Sequence, residues 1–351
     1  MRIVTLEQLR TVFADLPEGP RVVASGNFAT PQAILNVLDS QVAHYTLHML
    51  NAQLPLPSRE GVTYETAFVG PGMRHDPRLV YIPCRLSLVP VLFRDHHRPD
   101  VVLLHTSTLR HDTVSLGTEV NVLPAAIEAV REHGGIVVAQ SNPQMPYTYG
   151  DAQIYQHEID YLVEVDEPLP THTTGDLGDT SREIGQRIAA LVKDASTLQL
   201  GIGAVPDAVL AELTARTGLR IWTEMFSDGV LALHRAGALD PEVPVTASFV
   251  FGSRELYDWL HLNRGVQMLR TERTNDPAMI AKQARMTSVN AALQVDLLDQ
   301  ANASRIKGRS TPVSVDRQTS SSVPCIPAAG SPSWHCRPGM RRRTSPRSCR
   351  C

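Results

Sequence analysis

The residues best suited to chemistry sit in two short runs, GIGAVP at Gly201–Pro206 and TEMFSDG, which carries Glu224. A strand that passes through two glycines into a helix leaves backbone amides open to an anion. A second strand then ends at Glu224, beside Met225 and Phe226, with a helix cap at Ser227 or Asp228. Three readings of this pair stay open. Gly201 and Gly203 after a strand, with an acid about twenty residues on, fit a dinucleotide site and hence a nicotinamide-dependent oxidoreductase, although Pro206 takes the third glycine position. A carboxylate at the mouth of an apolar pocket, with a phosphate-holding loop nearby, fits covalent catalysis on a thioester. The plainest reading makes Glu224 a solvated acid at a strand end.

Further candidates lie in loops. SGNFATP follows a buried strand and supplies Ser25 and Asn27, with Thr30 expected as N-cap and Pro31 as first helical residue. Small-molecule sites form at such strand ends, yet a loop Ser or Asn is as readily a turn former. His105 and His111 carry a similar doubt, since a lone histidine is usually a surface or core residue. Cys84 stands alone in the body, while Cys325, Cys336, Cys349 and Cys351 crowd into the last residues without paired C-x2-C spacing. No metal site is expected.

The elements that must position these residues alternate between short β-branched runs and amphipathic stretches, the pattern of an α/β fold with a largely parallel sheet. Thr5 with Gln8 suits a capping box. RVVAS, PDVVLLHTS and IVVAQS read as buried strands, and VLPAAIEAVREHG reads as a helix closed by Gly134 and Gly135. PLPTHTTGDLGD, at 168–179, is polar and rich in breakers and marks a boundary. Beyond it come the helix SREIGQRIAALVKD, the strand STLQLGIG, the helix VPDAVLAELTART, the strands LRIWTE and VTASFVFG, and the helix SRELYDWLHLN. The organisation expected is an α/β domain over 1–175, a second over 176–309 that is incomplete, and a non-native, disordered tail over 310–351.

The chain has 351 residues, 42% of them hydrophobic, enough for two cores. Its formal charge of −3 hides a split: from Ser310 onward seven arginines face one acid, Asp316, which leaves the body near −9. That body gives no support to nucleic-acid binding, which wants clustered Lys and Arg on a folded face, and no nucleic-acid partner is expected. The start lacks a signal-peptide pattern, and no apolar run nears the ~20 residues that cross a bilayer. A cytoplasmic protein without membrane partners is expected, with a homodimer as the commonest default.

Several separated segments resemble the acetyl-CoA hydrolase/transferase family, particularly its 4-hydroxybutyrate CoA-transferase branch: FVGPGMR, YIPCRLSLVPVLF, VSLGTEVN, QSNPQMPYTYGD, DYLVEVDEPL, GIGAVPDAVL, TEMFSDGV and DQANASRIKGR. The resemblance runs from about residue 20 to 309, and the order and spacing of the segments carry it. It implies two open, mostly parallel α/β domains of CoA-transferase type. It also implies that Glu224 attacks an acyl-CoA thioester, that Gly201, Ile202, Gly203, Ala204 and Val205 contact CoA, and that a glutamyl-CoA thioester passes CoA to a small carboxylate such as acetate or 4-hydroxybutyrate in ping-pong fashion. Ser25, Asn27, Asn142, Met145, Gln300 and Asn302 become candidates for the carboxylate pocket. CoA enters as substrate, with no permanently bound cofactor. Hydrolysis of the same acyl intermediate by water remains the near alternative. Trp222 stands where the family often has His, Tyr147 where it often has Arg, and TLRHDT replaces a fuller loop.

After Arg309 the family continues into a GxGGxxDF segment that helps to stabilise the thioester oxyanion, and this chain does not. Codons permitted for Ser310–Pro324 can, read one base out of frame, spell IYSGFGGSTDFIVGA, and those for Cys325–Met340 can spell LHSRGGQPIMALPSWH. The tail is therefore read as an out-of-frame product of a single-base deletion near Arg309 or Ser310. On that reading the second domain loses strands and oxyanion donors, a strand edge is left open, and poor solubility with little turnover, or an inactive relic, is expected. The coding DNA settles it: absence of GGSTDF from the neighbouring frame ends the idea.

Overall fold

The computed structural model describes residues 1–172, 175, 177–201, 203–292, 294–298 and 300–302, and the backbone of short strands at 305–306, 309–310 and 333–335. The first half runs β1 (Arg2–Ile3), α1 (Leu6–Ala14), β2 (Arg21–Ala24), α2 (Gln32–Gln41), β3 (Tyr45–His48), β4 (Val62–Thr66), β5 (Leu79–Tyr81), α3 (Val89–Asp95), β6 (Val101–Thr106), β7 (Thr113–Ser115), α4 (Leu123–Glu132), β8 (Ile136–Ser141), β9 (Tyr149–Gly150), β10 (Gln153–Tyr155) and β11 (Tyr161–Glu164). The second runs α5 (Asp179–Ala189), β12 (Thr197–Leu200), α6 (Ala204–Glu212), β13 (Arg220–Ile221), β14 (Met225–Phe226), α7 (Asp228–Arg235), β15 (Val245–Ala247), β16 (Phe249–Val250), α8 (Arg254–Leu260), β17 (Val266–Met268), α9 (Thr271–Thr274), α10 (Pro277–Ile280) and β18 (Met286–Ala291). Short pairs follow: β19 (Gln294–Val295) with β20 (Ala301–Asn302), β21 (Arg305–Ile306) with β22 (Arg309–Ser310), then β23 (Ser333–His335).

An eight-stranded sheet of order β1-β11-β8-β6-β2-β3-β4-β5 is parallel throughout. Parallel strands need helices on both faces. Leu9 and Phe13 of α1 and Ile34, Leu35 and Leu38 of α2 cover one face, while Val89 and Phe93 of α3 and Ile127 and Val130 of α4 cover the other. The chain leaves β2 toward β3 and returns to its other side at β6, so the order reverses between β2 and β6. Loops at the carboxyl ends of strands open a crevice at such a reversal.

The second half builds a four-stranded parallel sheet, β13-β12-β18-β23, and a ribbon in which β14 runs parallel to β16. One apolar cluster runs through both halves, joining Val102, Ile127 and Met145 to Leu198, Phe226 and Phe249. β9, from the first half, pairs with β17 of the second and laces the two together.

Three expectations need adjustment. Helix α2 starts at Gln32 with Pro31 as N-cap and no side-chain cap there; Thr30 Oγ1 is buried without a partner. Gln140 of β8 does that work instead, its Oε1 accepting from Ala33 N at 3.0 Å and Ile34 N at 3.4 Å, a long-range cap no local pattern announces. Within the segment expected to be unstructured, β23 lies parallel to β18 with Val289 opposite Ser333. A ladder uses backbone groups alone, so absence of side-chain periodicity did not foresee it, and that part of the β18 edge is not open. Apart from Ser310 and β23, the segment 310–351 lies outside the described residues. Among the described residues no helix is long and apolar enough to cross a membrane.

Candidate active site

Glu224 sits between β13 and β14 and is 5% exposed, so it is a buried acid and not a solvated one. Its backbone carbonyl takes N–H bonds from Ser248 (2.8 Å) and Phe249 (3.0 Å), which pins the main chain against β16. Thr223, one residue earlier, bonds both ways to Leu200 at the end of β12: its Oγ1 accepts from Leu200 N and lies beside Leu200 O, each at 3.1 Å. The acid is thereby tied to the strand that opens into the glycine loop. Ser227, N-cap of α7, uses its hydroxyl to donate to Asp207 Oδ1 in the first turn of α6 at 3.0 Å, bringing the starts of the two helices together. Burial raises the Asp207 carboxyl, against the hydrogen bond from Ser227.

A second side chain reaches the acid. Asn275 Nδ2 donates to Glu224 Oε2 at 3.1 Å. The orientation of that amide is fixed from behind, because Thr274 Oγ1 (2.8 Å) and Thr271 Oγ1 (3.3 Å) both face Asn275 Oδ1. Ser248 Oγ contacts Thr274 Oγ1 at 2.6 Å and extends the run of hydroxyls under the acid. An amide N–H aimed at a buried carboxylate favours its charged, nucleophilic form. Trp222, the departure from the family's frequent His, donates its indole N–H to Thr274 O at 3.0 Å and so braces the turn that holds Asn275.

Of the expected CoA-contacting residues, Gly203 is the N-cap of α6 at φ +119°, with open space where a Cβ would stand, and Ala204 and Val205 begin the helix. Gly201 N bonds Val289 O at 3.1 Å, anchoring the loop to β18. Ile202 lies outside the described residues. Glycine at φ +119° is what this entry into α6 requires, and the residues on either side of Glu224 reach the end of β12, through Thr223 and Leu200, and the first turn of α6, through Ser227 and Asp207.

The expected pocket residues divide. Ser25, Asn27, Asn142 and Met145 are all buried at the carboxyl end of the large sheet, near its reversal point. Each is engaged by the protein itself: Ser25 Oγ accepts from His105 N at 3.2 Å, Asn27 bonds Glu119 and Asn51, Asn142 Nδ2 bonds His105 Nε2 (3.1 Å) and Glu167 O (2.8 Å), and Met145 Sδ accepts from Thr118 Oγ1 at 3.7 Å. Gln300 is exposed and Asn302 partly so, on the β19–β20 hairpin, where Asn302 Nδ2 donates to Gln294 Oε1 at 2.8 Å. His105 is 4% exposed, and burial holds its ring down at about 4, against nearby backbone of Thr30 and Ala29. His111 is exposed in a turn at φ +57°. Tyr147 is buried, its hydroxyl 2.7 Å from Thr113 Oγ1. The residues that stand where the family has its glycine-rich segment, 311–324, fall outside the described residues. Among those described, no cluster of His, Cys, Asp or Glu could hold a metal ion.

Sequence reading missed Asn275 and Glu119. In TERTNDP an Asn before Asp-Pro reads as a turn former; only the fold brings it to Glu224, 51 positions away in sequence. Glu119 lay inside the VSLGTEVN segment but carried no spacing to a partner.

Comparison with known proteins agrees with this arrangement. Residues 252–315 match the family described as acetyl-CoA hydrolase/transferase C-terminal domain. The chain is 32% identical over 318 residues to 4-hydroxybutyrate coenzyme A transferase of Clostridium kluyveri, covering 85% of this chain and 72% of that protein. It is 33% identical over 314 residues to succinyl-CoA:acetate/propanoyl-CoA:succinate CoA transferase of Fasciola hepatica, covering 84% of this chain and 65% of that one. The crystal structure of 4-hydroxybutyrate CoA-transferase from Porphyromonas gingivalis superposes with a TM-score of 0.71 at 31% identity, over 88% of this chain and 79% of that one. An open, parallel α/β fold, a buried glutamate beside a glycine loop and these relationships together place the chain in the acetyl-CoA hydrolase/transferase family, as a CoA-transferase by descent.

Proposed function

We propose that this protein transfers CoA from a short acyl-CoA to a small carboxylate of the acetate or 4-hydroxybutyrate type, by way of Glu224. The observation that carries the reading is the pairing of a buried glutamate, its Oε2 held by Asn275, with the α6 N-terminus and its glycine loop at the end of the adjoining strand. A Glu224 carboxylate oxygen attacks the thioester carbonyl; the C–S bond breaks, giving an acyl-glutamyl anhydride and CoA thiolate. The thiolate attacks the glutamyl carbonyl, releasing the first carboxylate and leaving a glutamyl-CoA thioester. An incoming carboxylate then attacks that thioester, expelling the thiolate, which takes the new acyl group and frees Glu224. The loop Gly201–Val205 offers amides to the CoA phosphates or pantetheine. The names of the relatives support this class of donor and acceptor. A cytoplasmic place and a homodimer complete the proposal.

Water could take the place of the second carboxylate and make the protein a hydrolase. Free thiol and acetyl-CoA, followed with and without acetate, separate the two: hydrolysis releases thiol in the absence of acetate, whereas transfer forms acetyl-CoA only when acetate is present and releases no net thiol. We further propose that the departure after Arg309 impairs turnover, because glycine amides that would stabilise an oxyanion are replaced, and one such donor contributes about 3 kcal/mol. Restoring the offset frame after Arg309 should raise the rate; equal rates in both chains remove that part of the reading.

A further inference from the structure

Glu119 is 2% exposed and has no role in the scheme above. It lies on the segment between β7 and α4 that bridges Phe249 of β16, the partner of β14, which begins one residue after Glu224. Asn27 donates to its Oε2, and Asn121 Nδ2 donates to its Oε1 at 3.1 Å. Asn51 Nδ2 in turn donates to Asn27 Oδ1 at 2.7 Å. These three asparagines come from three loops and all have left-handed backbone, with φ +48°, +45° and +36° for Asn27, Asn51 and Asn121. Asparagine is the non-glycine residue that most readily takes this backbone, and here it turns three loops so that their side chains meet at one carboxyl group. From Asn121 the network reaches the acid by two routes. Asn121 N donates to Ser248 O (3.3 Å), and Ser248 N donates to Glu224 O (2.8 Å). Thr271 N donates to Asn121 O (2.9 Å), Asn275 N to Thr271 O (3.0 Å), and Asn275 Nδ2 to Glu224 Oε2.

We propose that Glu119 is a positioning residue for Glu224: its carboxyl group holds Asn27 and Asn121, and Asn121 passes that constraint through Ser248 and the Thr271–Asn275 turn to the amide on the acid. The consequence for reaction rate rests on the function proposed above; the mechanical link does not. A protonated Glu119 gains an O–H that needs an acceptor. Asn27 cannot turn to provide one, since its Oδ1 already takes the Asn51 amide. Asn121 can, because its Oδ1 is buried without a partner. Among the described residues, the groups facing Glu119 are the amides of Asn27 and Asn121 and, across the ribbon, Phe249, and no charged side chain among them shifts its titration. Burial pushes its carboxyl up to about 7, against the two amides, so this change falls near neutrality.

The test is nuclear magnetic resonance on the full chain labelled with 15N-asparagine, following the side-chain amide signals of Asn121 and Asn275 across the neutral pH range. In the wild type both signals move together with one midpoint. In Glu119→Gln, with folding checked by thermal melting, that shared transition is gone. In Asn121→Ala the Asn275 signal no longer moves, which keeps the test decisive should Glu119→Gln fail to fold. An Asn275 signal that ignores pH in the wild type, or a transition that survives in Glu119→Gln or Asn121→Ala, overturns the proposal. Glu224→Gln assayed for CoA exchange tests the functional reading separately, since its result has no bearing on whether the two asparagines move as one.

Discussion

At the scale of single residues, the chemistry asked of Glu224 needs a carboxylate that stays charged while buried. The Asn275 amide, locked from behind by Thr271 and Thr274, meets part of that need. Replacing Asn275 with Ala removes one preorganised donor, and the expected cost is a fall in kcat of about a hundredfold or more with little change in the acyl-CoA KM. Steady-state kinetics checks this; a loss confined to KM would make Asn275 a substrate-binding group instead. Glu119 and His105 give a second residue-scale expectation, through pH. The folded pKa of Glu119, about 7, lies above its ordinary 4.5, so the stability it contributes is complete below about 4.5 and is lost as pH rises through 7. His105 is opposite: its folded pKa, about 4, lies below 6.5, so its contribution is complete above 6.5 and is lost as pH falls toward 4. Each is worth on the order of 3 kcal/mol, and between these limits the two slopes oppose. Glu119→Gln should therefore make stability fall more steeply on acidification than in the wild type, as read by denaturant melts; parallel curves would refute the assignment.

At the scale of elements, a few glycines decide how close the loops come. A Cβ on Gly26 would stand 2.0 Å from Leu50 O, and one on Gly117 would stand 2.2 Å from Met145 Sδ. Gly203 is different, since nothing occupies the space beside it while its φ is +119°. Gly203→Ala should thus cost about 1–3 kcal/mol of backbone strain and raise the KM for acyl-CoA more than it lowers kcat. An unchanged KM would detach the loop from CoA. Elements whose cause is local were legible in the sequence. The Thr5–Gln8 capping box forms with both bonds, IVVAQS is β8 to the residue, and Ser227 stands at the N-cap position of α7, although its hydroxyl goes to Asp207 and not to the α7 backbone. What was not legible depends on partners distant in sequence: the cap of α2 by Gln140, the transfer of β9 to the second half's strands, and the four-residue helix α9 that presents Asn275. Glu224 itself was readable only in company with the glycine loop, and residue types alone left three meanings open; burial and the Asn275 contact remove the solvated one.

At the scale of the molecule, two parallel sheets share one apolar core, with the glycine loop, Glu224 and the Asn27–Glu119–Asn121 network drawn toward their junction. That geometry is the basis for the thioester exchange proposed at Glu224. The most direct measurement is intact and peptide mass spectrometry after incubation with an acyl-CoA, on this chain and on one with the frame restored after Arg309, each with a Glu224→Ala control. A CoA adduct is expected in the restored chain, carried by the peptide containing Glu224 and absent from Glu224→Ala, with less or none in the present chain. An adduct on another peptide, an adduct that survives Glu224→Ala, or none in the restored chain would contradict it.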